Sequence, residues 1–294
     1  MPGDTFQTID LDVNNPGTSS GTAQLSWNDP GFKNASGLPY FHIYKKQNGA
    51  SWKFEDSVQS LNYTDTITLC KGEVSYQIRL PDSSFCVSQS DVDQGTFEDK
   101  ISPNTPEIDS VSVLANGINI HWNNNAVEDT WGYIIYKNVN NLWTPLDTLY
   151  GVNNNHYIDT LSDGCTDQEL YNVLAFDSCW NTSSSGQNHQ NIVLDLDYNT
   201  CKFRAEMNWN KYINMKDSLK EYRVYRSVDN GVYKVIDTRM PGQTNFVDSN
   251  LTDSTKYCYF IRAYNHQENR TSSTCEQCFY YTIPPGPQYI YLSS

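Results

Sequence analysis

The side chains with the most chemical potential are eight cysteines, five histidines and a large excess of carboxylates, spread over 294 residues. The cysteines are Cys70, Cys86, Cys165, Cys179, Cys201, Cys258, Cys275 and Cys278, an even set that groups along the chain as two, two and four. Such a set points to disulfides and an oxidising compartment. Cys275 and Cys278 form Cys-Glu-Gln-Cys, a spacing used in zinc and thiol redox sites. Zinc needs further ligands, and neither a second Cys-x-x-Cys nor a His pair accompanies it. The histidines (His42, His121, His156, His189, His266) show no metal-binding spacing, and alternation turns His42 and His121 toward solvent. No nucleophile elbow, phosphate loop or dinucleotide fingerprint occurs. The sequence assigns no catalytic residue and reads as a non-enzyme.

No cofactor is expected, and the one ion to weigh is calcium, as a structural stiffener. Asp10-Leu-Asp12-Val-Asn14 and Asp195-Leu-Asp197-Tyr-Asn199 share a spacing that places three oxygen ligands on one side, as at the start of an EF-hand loop. Neither continues with that loop's Gly and Glu, and a strand with polar residues outward accounts for the same pattern. The other candidate contacts are aromatic. Trp131, Trp180 and Tyr212 fall in expected loops, where rings can stack on sugars or anchor a protein partner. Trp52, Trp143 and Tyr233 open equivalent strands.

The elements that must position these residues are strands. Aromatics make up 13% of the chain, with 21 Tyr and 7 Trp, and turn-forming residues separate the apolar runs. No stretch is long and apolar enough to span a membrane. A formal net charge of −14 argues against a nucleic acid partner.

One pattern occurs three times, with a period of about ninety residues that suits a seven-stranded sandwich. Each copy has an apolar-x-apolar-x-Trp strand ending at Trp27, Trp122 or Trp209. A strand carrying Tyr44-Lys45, Tyr136-Lys137 or Tyr225-Arg226 follows. Then comes an aromatic-x-Asp signature at Asp65, Asp159 or Asp248, and a last alternating strand that includes Tyr76, Tyr171 or Tyr259.

The buried Trp, the Tyr-x-Val-Tyr strand and Tyr257-x-Tyr259-x-Ile261-x-Ala263-x-Asn265 resemble fibronectin type III domains. In that family a Tyr opening the sixth strand makes the tyrosine corner, and Tyr257 matches it. Glu169 and Val74 stand at the equivalent places of the other two copies, which depart from the pattern. Gly132–Lys137, Leu170–Cys179, Tyr257–Ala263 and Pro284–Tyr291 are also similar to large surface proteins of gliding Bacteroidetes that carry a type B sorting domain for type IX secretion. That resemblance, best over residues 103 to 294, implies export to the outer face of the outer membrane, with the sorting domain outside this sequence.

The expected architecture is all-β, three tandem fibronectin type III or immunoglobulin-like sandwiches at 1-102, 103-192 and 193-284. The first junction holds Pro103 and Pro106, whereas the second has no proline and is expected to be tighter. Met1–Asp4 lacks the apolar core of a signal peptide, so a trimmed piece of a longer chain is expected. Residues 285-294 read as a linker and the first strand of a truncated next domain.

Cys70 with Cys86, and Cys165 with Cys179, bracket the sixth strand of the first two copies, so local pairs are expected there. In the third copy Cys258 with Cys278 leaves Cys201 with Cys275, and Cys258 with Cys275 leaves Cys201 with Cys278. The functional expectation is a monomeric structural spacer that presents other domains. The alternatives are an adhesin with a protein or glycan partner at the cell surface, and an accessory region of a secreted hydrolase.

Overall fold

The computed structural model describes residues 7–15, 21–31, 39–81, 87–125, 130–249 and 251–283. The regular structure among them is all β, and it falls into two compact units, residues 1–103 with 177–181, and residues 104–176 with 182–294. Residues 285-294, read above as the start of a further domain, lie outside the described residues, as does Cys86.

In the first unit a three-stranded sheet has the order β1 (Leu11–Asn14), β2 (Thr22–Trp27), β5 (Asn62–Thr66). The second sheet runs β4 (Lys53–Val58), β3 (Phe41–Gln47), β6 (Gly72–Pro81), β7 (Val87–Gln89), with β8 (Asp93–Phe97) also on β6. Inward residues of both sheets, among them Leu25, Trp27, Phe41, Ile43, Tyr76 and Ile78, make one core. All ladders are antiparallel, so inward and outward residues alternate as the sequence pattern requires.

The second unit repeats this arrangement around two cores. One lies between the sheet β13 (His156–Asp159), β10 (Gly117–Trp122), β9 (Ile108–Leu114) and the sheet β12 (Leu142–Tyr150), β11 (Thr130–Val139), β14 (Leu170–Asp177), β15 (His189–Gln190). The other lies between β16 (Leu194–Asn199), β17 (Arg204–Trp209), β20 (Asn245–Asp248) and the sheet β19 (Lys234–Arg239), β18 (Leu219–Val228), β21 (Thr255–Asn265), β22 (Thr271–Ser273), with β23 (Gln277–Tyr281) also on β21. This is the sandwich expected from the sequence.

Among the described residues the first and third copies have eight strands and the second has seven, because the last strand is broken in each copy and its first half in the second is an isolated bridge between Phe176 and Thr182. Ser90, Ser183 and Thr274 are buried at the break. Each donates its N–H to a carbonyl on the neighbouring strand, at Ile78, Ala175 or Ile261. Each hydroxyl then accepts the N–H of that same residue, at 2.9 to 3.0 Å. A side-chain oxygen thus stands where a backbone carbonyl would continue the ladder, and the strand turns away without orphaning a donor.

Each core also contains one buried polar cluster joining its two sheets. The Tyr76 hydroxyl donates to Asp65 at 2.5 Å, and Tyr171 and Tyr259 donate to Asp159 and Asp248 at 2.9 Å. Lys45, Lys137 and Arg226 reach the same carboxylates at 2.6, 3.6 and 2.7 Å. The tyrosine corner is present at Tyr257, whose hydroxyl accepts the Thr252 N–H at 2.8 Å. In the second copy Glu169 replaces that tyrosine and pairs with Lys137 at 2.6 Å.

Burial alone would raise the pKa of Asp159. Hydrogen bonds from Ser162, Tyr171 and the Leu161 N–H, with the charge of Lys137, outweigh it and hold the carboxyl below its ordinary 3.8. Its stabilising contribution is therefore complete above that value and is lost as pH falls below it. Asp159→Asn should lower the unfolding free energy of the second unit by about 2 kcal/mol in a urea titration, because Ser162 and Tyr171 lose the charged acceptor they converge on while Lys137 keeps Glu169. Tyr171→Phe, which leaves the Asp159 carboxylate in place, should cost only about 1 kcal/mol.

Candidate functional site

The cysteines are the first of the candidate residues to be relocated. Cys70 bonds to Cys179 and Cys165 bonds to Cys275, with sequence separations of 109 and 110. The expected local pairs Cys70–Cys86 and Cys165–Cys179 are therefore incorrect. An extended strand of about fifteen residues carries its ends some 50 Å apart, whereas the two Cα atoms of a disulfide must come within about 7 Å. The loops of successive copies meet that distance, with Cα atoms 5.0 and 5.3 Å apart. The first bond draws the stretch 177–181, which in sequence belongs to the second copy, into the first unit. In the third copy Cys258 and Cys278 sit directly opposite on β21 and β23 and are bonded. Cys201, offered above as a disulfide partner, is an exposed free thiol.

Within the second unit the two copies meet along the free edge of β9. The Tyr212 hydroxyl accepts the Val111 N–H at 2.9 Å and lies 3.2 Å from His189 Nδ1, and the Ser272 hydroxyl donates to the Val111 carbonyl. The Ser112 hydroxyl donates to the Thr271 carbonyl at 3.3 Å. An edge strand normally invites another strand, and here side chains of the following copy take its backbone groups instead. Tyr212 is thus not a loop aromatic open to a ligand. It is 1% exposed, because its phenol is the group that finishes this edge.

Beside this seam Asp109, itself 1% exposed, faces His121 Nδ1 at 2.8 Å and Arg270 Nε at 3.3 Å. Arg270 also donates to Asn123 at 3.1 Å. These groups, with Arg262, Phe260 and the Cys165–Cys275 bond, border an open groove of about 890 Å³. Gly164 allows the Cys165 loop to approach, since a Cβ there would come within 2.8 Å of Ile118.

The remaining candidates stay apart. Trp131 is half exposed and packs edge-on against Tyr150 at 5.2 Å and Phe176 at 6.0 Å. Trp180 is 53% exposed and belongs to the first unit, on a turn where its φ is 65°. Asp10, Asp12 and Asn14 are exposed at the start of the first sandwich, and the Asp10 N–H donates to Asn28. Asp195 and Asp197 are exposed on β16, and Asn199 accepts the Lys202 N–H at 3.0 Å. Among the described residues the one group with three metal-capable side chains in reach is Cys258, Glu276 and Cys278, and its two cysteines are bonded to each other.

Sequence reasoning missed Asp109, Arg262 and Arg270. Nothing local to these positions in the sequence says what they would face.

No described protein family matches the sequence, and no curated protein matches it. Among solved structures, the FN1–FN3 domains of chicken CNTN1 are similar at 13% identity and a TM-score of 0.34, over 94% of this chain and 98% of that one. A two-domain fibronectin type III segment of chicken tenascin is similar at 11% identity and a TM-score of 0.39, over 63% of this chain and 98% of that one.

Burial lowers the His189 pKa from its ordinary 6.5 to about 4, against the opposing charges of Asp109 and Glu107. The folded seam therefore holds a neutral imidazole that the unfolded chain protonates. Stability of the second unit should be complete above pH 6.5 and fall by on the order of 3 kcal/mol toward pH 4. His189→Gln should flatten that slope in thermal melts taken across the range. Peptide mapping of the non-reduced protein should return Cys165 linked to Cys275.

Proposed function

We propose that this chain is a non-catalytic spacer of a secreted or cell-surface protein, built to carry tension between the domains it joins. The observation that carries this reading is the crossing of two disulfides. In chain order the four cysteines run Cys70, Cys165, Cys179, Cys275, with the first bonded to the third and the second to the fourth. A pulling force then travels to Cys70, across to Cys179, back to Cys165 and across to Cys275. Even with every strand unfolded, roughly a third of the contour can extend. A local disulfide within one copy would shield far less chain.

Three cross-links also support an oxidising compartment. The resemblance to exported surface proteins of gliding Bacteroidetes supports the outer face of the outer membrane as the place. The adhesin reading keeps Trp180 and Trp131 as exposed rings and loses Tyr212.

Tethered by its two ends and pulled, the oxidised protein should lengthen to about a third of the extension seen after reduction. Equal extension in both states would show that the bonds do not limit the tether and would remove the spacer reading's support.

A further inference from the structure

The chain is strongly acidic, with a formal net charge of −14, and most arginines of its second unit are paired with carboxylates. In the second unit Arg204, Arg223, Arg226, Arg239 and Arg270 each stand within ion-pair distance of a carboxylate. Arg262 does not have one among the described residues. Where such an arginine borders a groove, as Arg262 does, it can receive the anion of a ligand.

Arg262 is also held in position. Its Nε donates to the Ser273 hydroxyl at 2.8 Å, and its guanidinium lies over Phe260 and Tyr225, 5.2 and 5.5 Å from the ring centroids. Phe260 and Tyr225 are stacked at 4.5 Å, and Tyr225 is hydrogen-bonded to Tyr264 at 2.6 Å, so the platform beneath the guanidinium is fixed. With Nε used and one face covered, the two terminal nitrogens remain for a planar anion, the fork geometry that matches a carboxylate.

Arg262 borders the 890 Å³ groove beside the seam. The other charges there are occupied. Asp109 is taken by His121 and Arg270, and Glu276 by the Tyr233 hydroxyl. The rest of the wall mixes hydroxyl and amide groups, including Ser110, Ser112, Asn119 and Asn269, with the apolar Val113, Leu114 and Ala115. Such a wall suits a sugar, which offers both hydroxyl groups and apolar ring faces. A peptide strand would need a free sheet edge, and the N–H and C=O of Val111 at the centre of β9 are already taken by Tyr212 and Ser272.

We infer that the groove between the second and third sandwiches is a binding site for a carboxylated polysaccharide, with Arg262 receiving a uronate carboxylate. The sugar hydroxyls pair with the groove's hydroxyl and amide groups. Affinity is modest and falls with salt, because one surface-accessible ion pair leads the interaction. The site is independent of the tethering role and stands or falls separately from it.

Titration calorimetry of the oxidised chain with short oligogalacturonates tests it. The expected result is saturable binding that weakens with added salt and is lost for the methyl-esterified oligomer. Arg262→Gln should weaken binding about tenfold without changing the melting temperature. Arg262→Lys should fall between, keeping the charge and losing the fork. Absence of binding, equal binding of the esterified oligomer, or full affinity in a folded Arg262→Gln protein would each overturn the site. Tighter binding of a poly-glutamate peptide would assign the groove to a protein partner and overturn the saccharide. Should Arg262→Gln fail to fold, Arg262→Lys and the ester comparison decide alone.

Discussion

A carboxylate buried between two sheets is the constraint on which each sandwich depends. Asp65, Asp159 and Asp248 lie on the short sheet of their copy and are satisfied by a tyrosine and a cation from the facing sheet. An ionised carboxylate removed from water is costly unless its partners are in place. A slip of either sheet by one residue would turn those partners to the opposite face and leave the charge alone. The apolar core supplies the drive to collapse, and the carboxylate sets which alignment of the sheets the collapse accepts. The same device recurs three times with the cation varied, lysine twice and arginine once.

Around that constraint the copies differ in how they finish their edges. The third keeps the tyrosine corner at Tyr257, while the second uses the Lys137–Glu169 pair in the same place. The broken last strand, with its Ser or Thr hydroxyl, is common to all and frees the following backbone to leave the sheet. In the second unit that freedom has a use. β22 ends at Ser273, just before Thr274, so Ser272 can bond Val111 and Cys275 can reach Cys165.

The disulfides act on a longer scale than the cores they leave behind. Most structural bonds in small secreted domains compensate for a thin core within one domain. Here each sandwich has a full core of its own, and among the described residues only Cys258–Cys278 lies within one copy's sheet. The other two each span more than one period of the repeat, so their effect falls on the extension of the chain more than on the stability of any one sandwich. The seam adds non-covalent closure in the second unit, where Tyr212 and His189 are both buried.

The sequence by itself determined the all-β class and the threefold repeat, and it marked as recurring the positions that the structure joins in the buried cluster. All of these follow from alternation along a strand, which is a local property of the chain. The Trp strands, the Asp signatures and the Tyr-Lys or Tyr-Arg pairs could be read in register before any contact was known. Only the tertiary structure decided what those strands face. Cys165 sits 14 residues from Cys179 in sequence yet bonds to a partner 110 residues away. Tyr212, written in a polar loop, is buried because the edge of β9 arrives beside it. Arg262 looks like any outward strand residue until its neighbours' carboxylates are all found elsewhere. Pairing, burial and charge balance between copies are set by distances across the fold, which the order of residues along one strand does not encode.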